Sequence, residues 1–380
     1  MKIPLARPDI TNLERRAVWE VLKTPYLALG PKMEEFEDRI AKYVGMKYAL
    51  AVNSGTAALH LIVKSLDISR GDEVITTPFS FIASSNCILY EGTKPVFVDI
   101  KSDTLDINPE LIERSITSQT QAILAVDIFG HPADWDKISK IAKKYNLYLI
   151  EDSAESFGSE YKGRKCGTFG EAAVFSFYPN KQITTGEGGV VITNNKKIAD
   201  ICESLRNQGR GPMKNKGDWL RHPRLGYNYR ISDINCALGL AQLSRIKEIL
   251  TKREKVADLY NQKLKSIPEI EIPYVAPNVK MSWFVYVIRL SEKYSQQDRD
   301  KIIEKMAKKG IQCGTYFQPI HLQPFYRKLY SYKSGDFPIC ESVAQRTIVL
   351  PFHNNLKERE INYVVKNLRG IISRLSENNS

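Results

Sequence analysis

The chain has 380 residues, 43% hydrophobic and 26% charged, with a net charge of +12 from 55 basic and 43 acidic side chains. This is the balance of a soluble globular protein, long enough for two domains or for one large domain with a smaller appendage. No run approaches the roughly 20 apolar residues of a membrane helix, the opening MKIPLARPDI lacks a signal peptide's apolar run, and the lysines alternate with glutamates, as in KEILTKREKVADLY. A cytoplasmic protein with a solvated basic surface is expected, one that favours small polyanions and not nucleic acid or membrane.

An N-terminal arm, 1–14, is punctuated by Pro4 and Pro8 and can cross onto a neighbouring domain. Beyond it, strand-like runs YALAVN, EVITTPF, KPVFVDI, AILAVDIFG, LYLIEDSA, AAVFSFY and GGVVITNN end mostly at polar or glycine positions. Helical patterns TAALHLIVKSL, SSNCILYEG, PELIERSI and WDKISKIAKKYN lie between several of them. The alternation predicts a large α/β domain over 15–245 with a mainly parallel central sheet. Ligands of such sheets sit beyond the carboxyl ends of the strands. The stretch INCALGLAQL reads as a buried helix, and a long amphipathic helix is expected over about 242–265. The alternating strand SWFVYVIRL, a helix near 296–309, the loop YFQPIHLQPFY and a last helix near 358–375 follow. They predict a smaller α+β domain over 246–380.

Six cysteines (Cys87, Cys166, Cys202, Cys236, Cys313, Cys340) and five scattered histidines show neither C-x-x-C nor zinc spacing. The cysteines are read as reduced packing residues, and no metal is expected.

Three strand-end segments carry candidate chemistry. In NSGTAALH, Ser54 is an N-cap followed by Gly55 and Thr56, a start that either simply caps a helix or receives an anion. In LYLIEDSAESFG, Glu151 and Asp152 close an apolar strand. An acid there either caps a turn in solvent or pairs with a cation. In FSFYPNKQITTGEGG, Lys181 precedes the glycines, so the segment is not a phosphate-binding G-x-x-x-x-G-K-[ST] loop. A lysine amine can bond a carbonyl, and the cofactor that joins a lysine imine to an acid on its ring nitrogen is pyridoxal phosphate. Ser54, Gly55, Thr56 and Ser176 suit its phosphate, and Phe81 in TTPFSFIASSN suits its ring.

NSGTAALH, TTPFSFIAS, EDSAESFG, SFYPNKQITTGEGG and GYNYRISDINCALGLAQL resemble successive motifs of the DegT/DnrJ/EryC1/StrS family of sugar aminotransferases. The resemblance spans nearly the whole chain, and SF-x-x-x-K-x-x-TTGEGG is its most specific part. It implies the aspartate aminotransferase fold (fold type I), a homodimer with shared active sites, and pyridoxal 5′-phosphate as cofactor. The implied reaction moves an amino group, with glutamate as donor, to a nucleotide-linked keto sugar such as a 4-keto-6-deoxy hexose. Carried over by position, Lys181 is the Schiff-base lysine, Asp152 the partner of the ring nitrogen and Phe81 the ring's stacking partner. Gly55, Thr56 and Ser176 meet the phosphate, beside Ser54. Ala154 and Glu155 also line the cofactor, and Asn228 reaches the other subunit's phosphate. Glu155 departs from the glutamine or histidine many members carry there. Arg230, Tyr316, Phe317 and His321 are candidate substrate contacts, with Arg221, His222 and Arg224 as candidates for the diphosphate. Two alternatives stand beside this reading. One is a sugar dehydratase, whose members replace the lysine with histidine; the other is a DNA-binding regulator, for which no helix-turn-helix is visible.

Overall fold

The computed structural model describes residues 1–211 and 218–377. The seven strand-like runs all form strands, and all join one sheet. In chain order these are β1 (Tyr48–Val52), β2 (Glu73–Thr76), β3 (Lys94–Phe97), β4 (Thr120–Val126) and β5 (Tyr148–Asp152). After the small hairpin of β6 (Glu160–Tyr161) and β7 (Arg164–Lys165) come β8 (Ala172–Ser176) and β9 (Gly189–Thr193). The sheet order is β1-β9-β8-β5-β4-β2-β3. The pairings from β8 through β5, β4 and β2 to β3 are parallel; β9 runs antiparallel to both of its neighbours. Hence β1, β5 and β8 end at the same edge, and the register aligns Val52, Gly189 and Ser176 in a row.

Helices cover both faces and enclose buried clusters around Leu61, Ile150 and Val174 on one side and Phe36, Phe175 and Ile192 on another. The expected helices after β1 and β4 form at Gly55–Ser65 and Trp135–Tyr145. A separate core around Tyr260, Tyr286 and Leu368 fills the C-terminal part. It packs about a three-stranded sheet of β10 (Ile270–Glu271), β12 (Tyr286–Leu290) and β13 (Thr347–Leu350), in the order β10-β12-β13; β11 (Val279–Lys280) pairs instead with β6.

The helices expected at INCALGLAQL and over about 242–265 form as Asp233–Ser244 and Ile246–Leu264, parted at Arg245. There the Arg245 guanidinium turns back to Asp9 and Glu14. The strand expected from Ser282 begins only at Tyr286, because Trp283 takes a left-handed φ of 46°. β12 is covered on both faces, with Val287 in the core against the large sheet and Tyr286 and Ile288 in the C-terminal core, so its burial does not alternate. The N-terminal arm crosses onto the C-terminal part: Ile3 N–H donates to Gly310 O (2.8 Å) and Phe352 N–H to Leu5 O (2.8 Å).

On the face of β5 opposite Asp152, Glu151 and Asp127 are fully buried beside Cys166. These three are close enough to hold an ion, but N–H and O–H groups already meet every carboxylate oxygen. The Ser153 hydroxyl lies 2.7 Å from Asp127 Oδ2 and 2.8 Å from Glu151 Oε1. One hydroxyl has one proton, so one acid must itself be protonated. Burial and the Asp127 charge push Glu151 upward, to about 8, and make it the proton holder. A raised acid stabilises the fold at low pH and loses that contribution as pH climbs from its unfolded value through the folded one. Glu151→Gln fixes the neutral form. Its unfolding free energy should therefore fall less steeply between pH 5 and 8 than the wild type's, by up to about 1.4 kcal/mol per pH unit. Urea titrations across that range measure both slopes, and parallel slopes would refute the protonation assignment.

Candidate active site

A cavity of about 480 Å³ opens at the edge where β1, β5 and β8 end. Its floor is Lys181, with a side chain only 12% exposed. Lys181 Nζ lies 3.5 Å from Glu155 Oε1 and 3.9 Å from the centre of the Phe284 ring. Burial pulls the amine's pKa down, and the Glu155 and Asp152 carboxylates oppose that pull. Asp152, the last residue of β5, is buried as well; Ser84 Oγ donates to its Oδ2 (2.7 Å) and the Ala154 N–H to its Oδ1 (3.2 Å). Burial pushes this acid up, while the Ser84 and Ala154 donors and the Lys181 charge hold it back.

Glu155 is aimed by the backbone. Its Oε2 accepts from Phe129 N–H at 2.9 Å, which leaves Oε1 toward Lys181. Phe129 adopts a left-handed φ of 57°, and its ring stacks on Phe317 at 5.5 Å. Tyr316 and Phe317 then form one wall of the cavity.

The opposite wall is the start of the helix Gly55–Ser65. Ser54 Oγ accepts from Ala57 N–H at 3.1 Å. The first-turn amides of such a helix have no partners within it and carry the positive end of its dipole. Two glycines let this helix start settle onto the sheet: a Cβ on Gly189 would lie 2.5 Å from Ser54 O, and one on Gly55 would lie 3.0 Å from Ser176 Cβ. Ser54, Gly55, Thr56 and Ser176 thus make a small cradle of amides and hydroxyls on the cavity lining. Phe81, 59% exposed, leaves an uncovered aromatic face beside it. An amine, an acid braced by donors, an anion cradle and a flat ring suit pyridoxal phosphate, each against a different part of it.

The remaining candidates lie elsewhere. Asn228 is exposed and off the cavity of its own chain; its carbonyl accepts from Asn53 Nδ2 at 3.4 Å. Arg230 donates to Asn207 Oδ1 at 3.0 Å. Arg221, His222 and Arg224 are exposed on the same loop, and His222 Nδ1 sits 2.8 Å from Gln208 O. His321 requires a correction. It is fully buried, its Nε2 bonded to Glu341 at 3.0 Å and its ring packed 4.7 Å from Phe337. The turn it occupies folds into a satellite core with Phe97 and Tyr326, so His321 supports that core and does not line the cavity. Among the lining residues that escaped the sequence reading are Ser84, Glu187 and Phe284. Ser84 carried a signal, a hydroxyl three positions after Phe81. Phe284, about a hundred positions from Lys181, carried none.

The profile of the DegT/DnrJ/EryC1/StrS aminotransferase family matches residues 8–369. An uncharacterized protein of Methanocaldococcus jannaschii is 41% identical over 98% of each chain. The GDP-perosamine synthase of Caulobacter vibrioides is 38% identical, again over 98% of each. Among solved structures, PseC of Helicobacter pylori, an aminotransferase involved in the biosynthesis of pseudoaminic acid, superposes with a TM-score of 0.93 at 30% identity, covering 98% of this chain and 100% of that one.

Glu155→Gln removes the nearest negative charge from the Lys181 amine. The midpoint of the pH–rate profile for acylation of Lys181 in the cofactor-free protein should fall by roughly one unit. Peptide mass spectrometry of timed samples reads the profile, and an unmoved midpoint would show that this carboxylate does not control the amine.

Proposed function

Because the chain belongs to the DegT/DnrJ/EryC1/StrS aminotransferase family, we propose that its cavity transfers an amino group from glutamate to a nucleotide-linked keto sugar of the 4-keto-6-deoxy hexose kind. The fold is that of the fold type I, pyridoxal-phosphate-dependent aminotransferases. One arrangement carries the reading: a buried lysine amine 3.5 Å from a carboxylate, at the strand edge where Asp152 also ends.

Lys181 would bond the cofactor, Asp152 would face its ring nitrogen, and Phe81 and Ala154 would flank its ring. The cradle of Ser54, Gly55, Thr56 and Ser176 would take its phosphate. When bound, pyridoxal phosphate serves as an electron sink for the carbon that loses its proton. The chain supplies the rest. Lys181 Nζ, kept partly neutral by burial, takes the proton from the donor's α-carbon and later returns one to the sugar carbon. Asp152, with Ser84 and Ala154 donating to it, keeps a proton on the ring nitrogen by charge. Glu155 holds the freed amine in reach by its charge. Tyr316 and Phe317 exclude water from the reacting carbon.

Among the described residues lining the cavity, Lys181 is the one cation. A nucleotide's two phosphates need more positive charge than that. The exposed loop bearing Arg221, Arg224, Asn228 and Arg230 would reach a second copy's cavity, which supports a homodimer with shared sites. The GDP-perosamine synthase likeness supports a nucleotide-bound sugar as acceptor.

Lys181→Ala should lower kcat by at least about 10²–10⁴-fold and abolish borohydride fixation of the cofactor. The purified enzyme incubated with ¹⁵N-glutamate and a panel of nucleotide-linked 4-keto and 3-keto sugars should label a 4-keto-6-deoxy substrate. Normal turnover by the alanine variant would refute the lysine's role. Labelling of the 3-keto sugars alone would refute the proposed acceptor.

A further inference from the structure

Arg253, in the helix Ile246–Leu264, is 3% exposed, and among the described residues it pairs with no carboxylate. Its guanidinium ends on four uncharged oxygens. Nε donates to Trp283 O (2.7 Å), Nη1 to Asn354 Oδ1 (2.8 Å), and Nη2 to Phe284 O (2.6 Å) and Asn180 O (3.5 Å). The ring of Phe352 lies 5.0 Å away. Burial pulls its pKa down with no acid to oppose it, yet a guanidinium keeps its proton in proteins. A buried charge without a counter-ion is expensive in free energy, so what it holds matters.

It holds two segments that meet at Lys181. Asn180 immediately precedes the lysine, and Phe284 carries the ring 3.9 Å under Lys181 Nζ. Gln182, immediately after the lysine, donates to Ser282 Oγ at 2.8 Å. The turn 180–182 is therefore tied to the segment 282–284 on both sides of the lysine, with Arg253 making the tie at the cavity end. We infer that Arg253 is a positioning residue: it locks the turn before Lys181 to the Phe284 ring beneath it and so fixes where the amine stands, without lining the cavity itself. A lysine in its place has one ammonium and cannot fork across both segments. The inference rests on Lys181 as the cofactor lysine.

The test uses Arg253→Lys, with Asn354→Ala as a milder variant that removes one brace from the guanidinium, and Lys181→Ala as reference. Pyridoxal phosphate is added to each cofactor-free protein, and the rate at which it becomes borohydride-reducible onto residue 181 is followed. Visible circular dichroism, kcat, KM for the amino donor and the melting temperature are measured on the loaded proteins. Arg253→Lys should slow capture and lower kcat by between about tenfold and 10²-fold and change the visible dichroism, with KM moving less than about threefold. Asn354→Ala should move the same readouts less and in the same direction. A lower melting temperature with capture, dichroism and kcat all within twofold would make Arg253 merely structural and overturn the proposal. Should Arg253→Lys fail to fold, unchanged capture in Asn354→Ala overturns it. Covalent capture by Lys181→Ala at the normal rate would sink the assignment of the lysine instead, a distinct failure.

Discussion

A charged amine held out of water between buried acids is the constraint on which this site depends. Lys181 is largely buried at the cavity floor, which favours its neutral, nucleophilic form, while Glu155 and Asp152 favour the charged one. Neither influence is allowed to win outright. The acids are themselves buried, and each needs its own donors: Ser84 and the Ala154 N–H for Asp152, the Phe129 N–H for Glu155. The polar groups therefore form a closed set in which every member orients another, the condition under which buried polarity specifies one geometry.

The fold delivers that set through register. Because β9 runs against both neighbours, β1 and β8 point the same way, and Val52, Gly189 and Ser176 fall in line across three strands. The helix that follows β1 must then begin directly over β9. Only a residue without a side chain tolerates the approach at position 189. The last glycine of TTGEGG thus serves backbone packing.

Much of this could be read from the chain before any coordinates. Strand ends are local signals: apolar β-branched runs stop at Asp152 and Ser176, and the parallel-sheet rule places ligands there. That is why Ser54, Gly55, Thr56, Asp152, Ser176 and Lys181 could be picked out together, whereas Glu155 came only from the family resemblance. What depended on distant packing could not. Ser84 donates across 68 positions and Arg253 reaches 31 positions to Phe284, with no periodicity to announce either contact. His321 misled because a polar residue in a loop of aromatics looks the same whether it faces a cavity or a satellite core.

The N-terminal arm has a kinetic implication. Leu5 N–H bonds Gln312 Oε1, 307 positions later, and Asp9 accepts from Arg245, Lys252 and Asn355. On a ribosome the arm emerges long before its partners exist. Until the C-terminal part is synthesised, the arm lacks the groups it bonds there, Gly310, Gln312, Phe352 and Asn355. Closing so wide a loop comes late in folding, and in that interval the arm is open to proteases and chaperones that the finished protein would exclude.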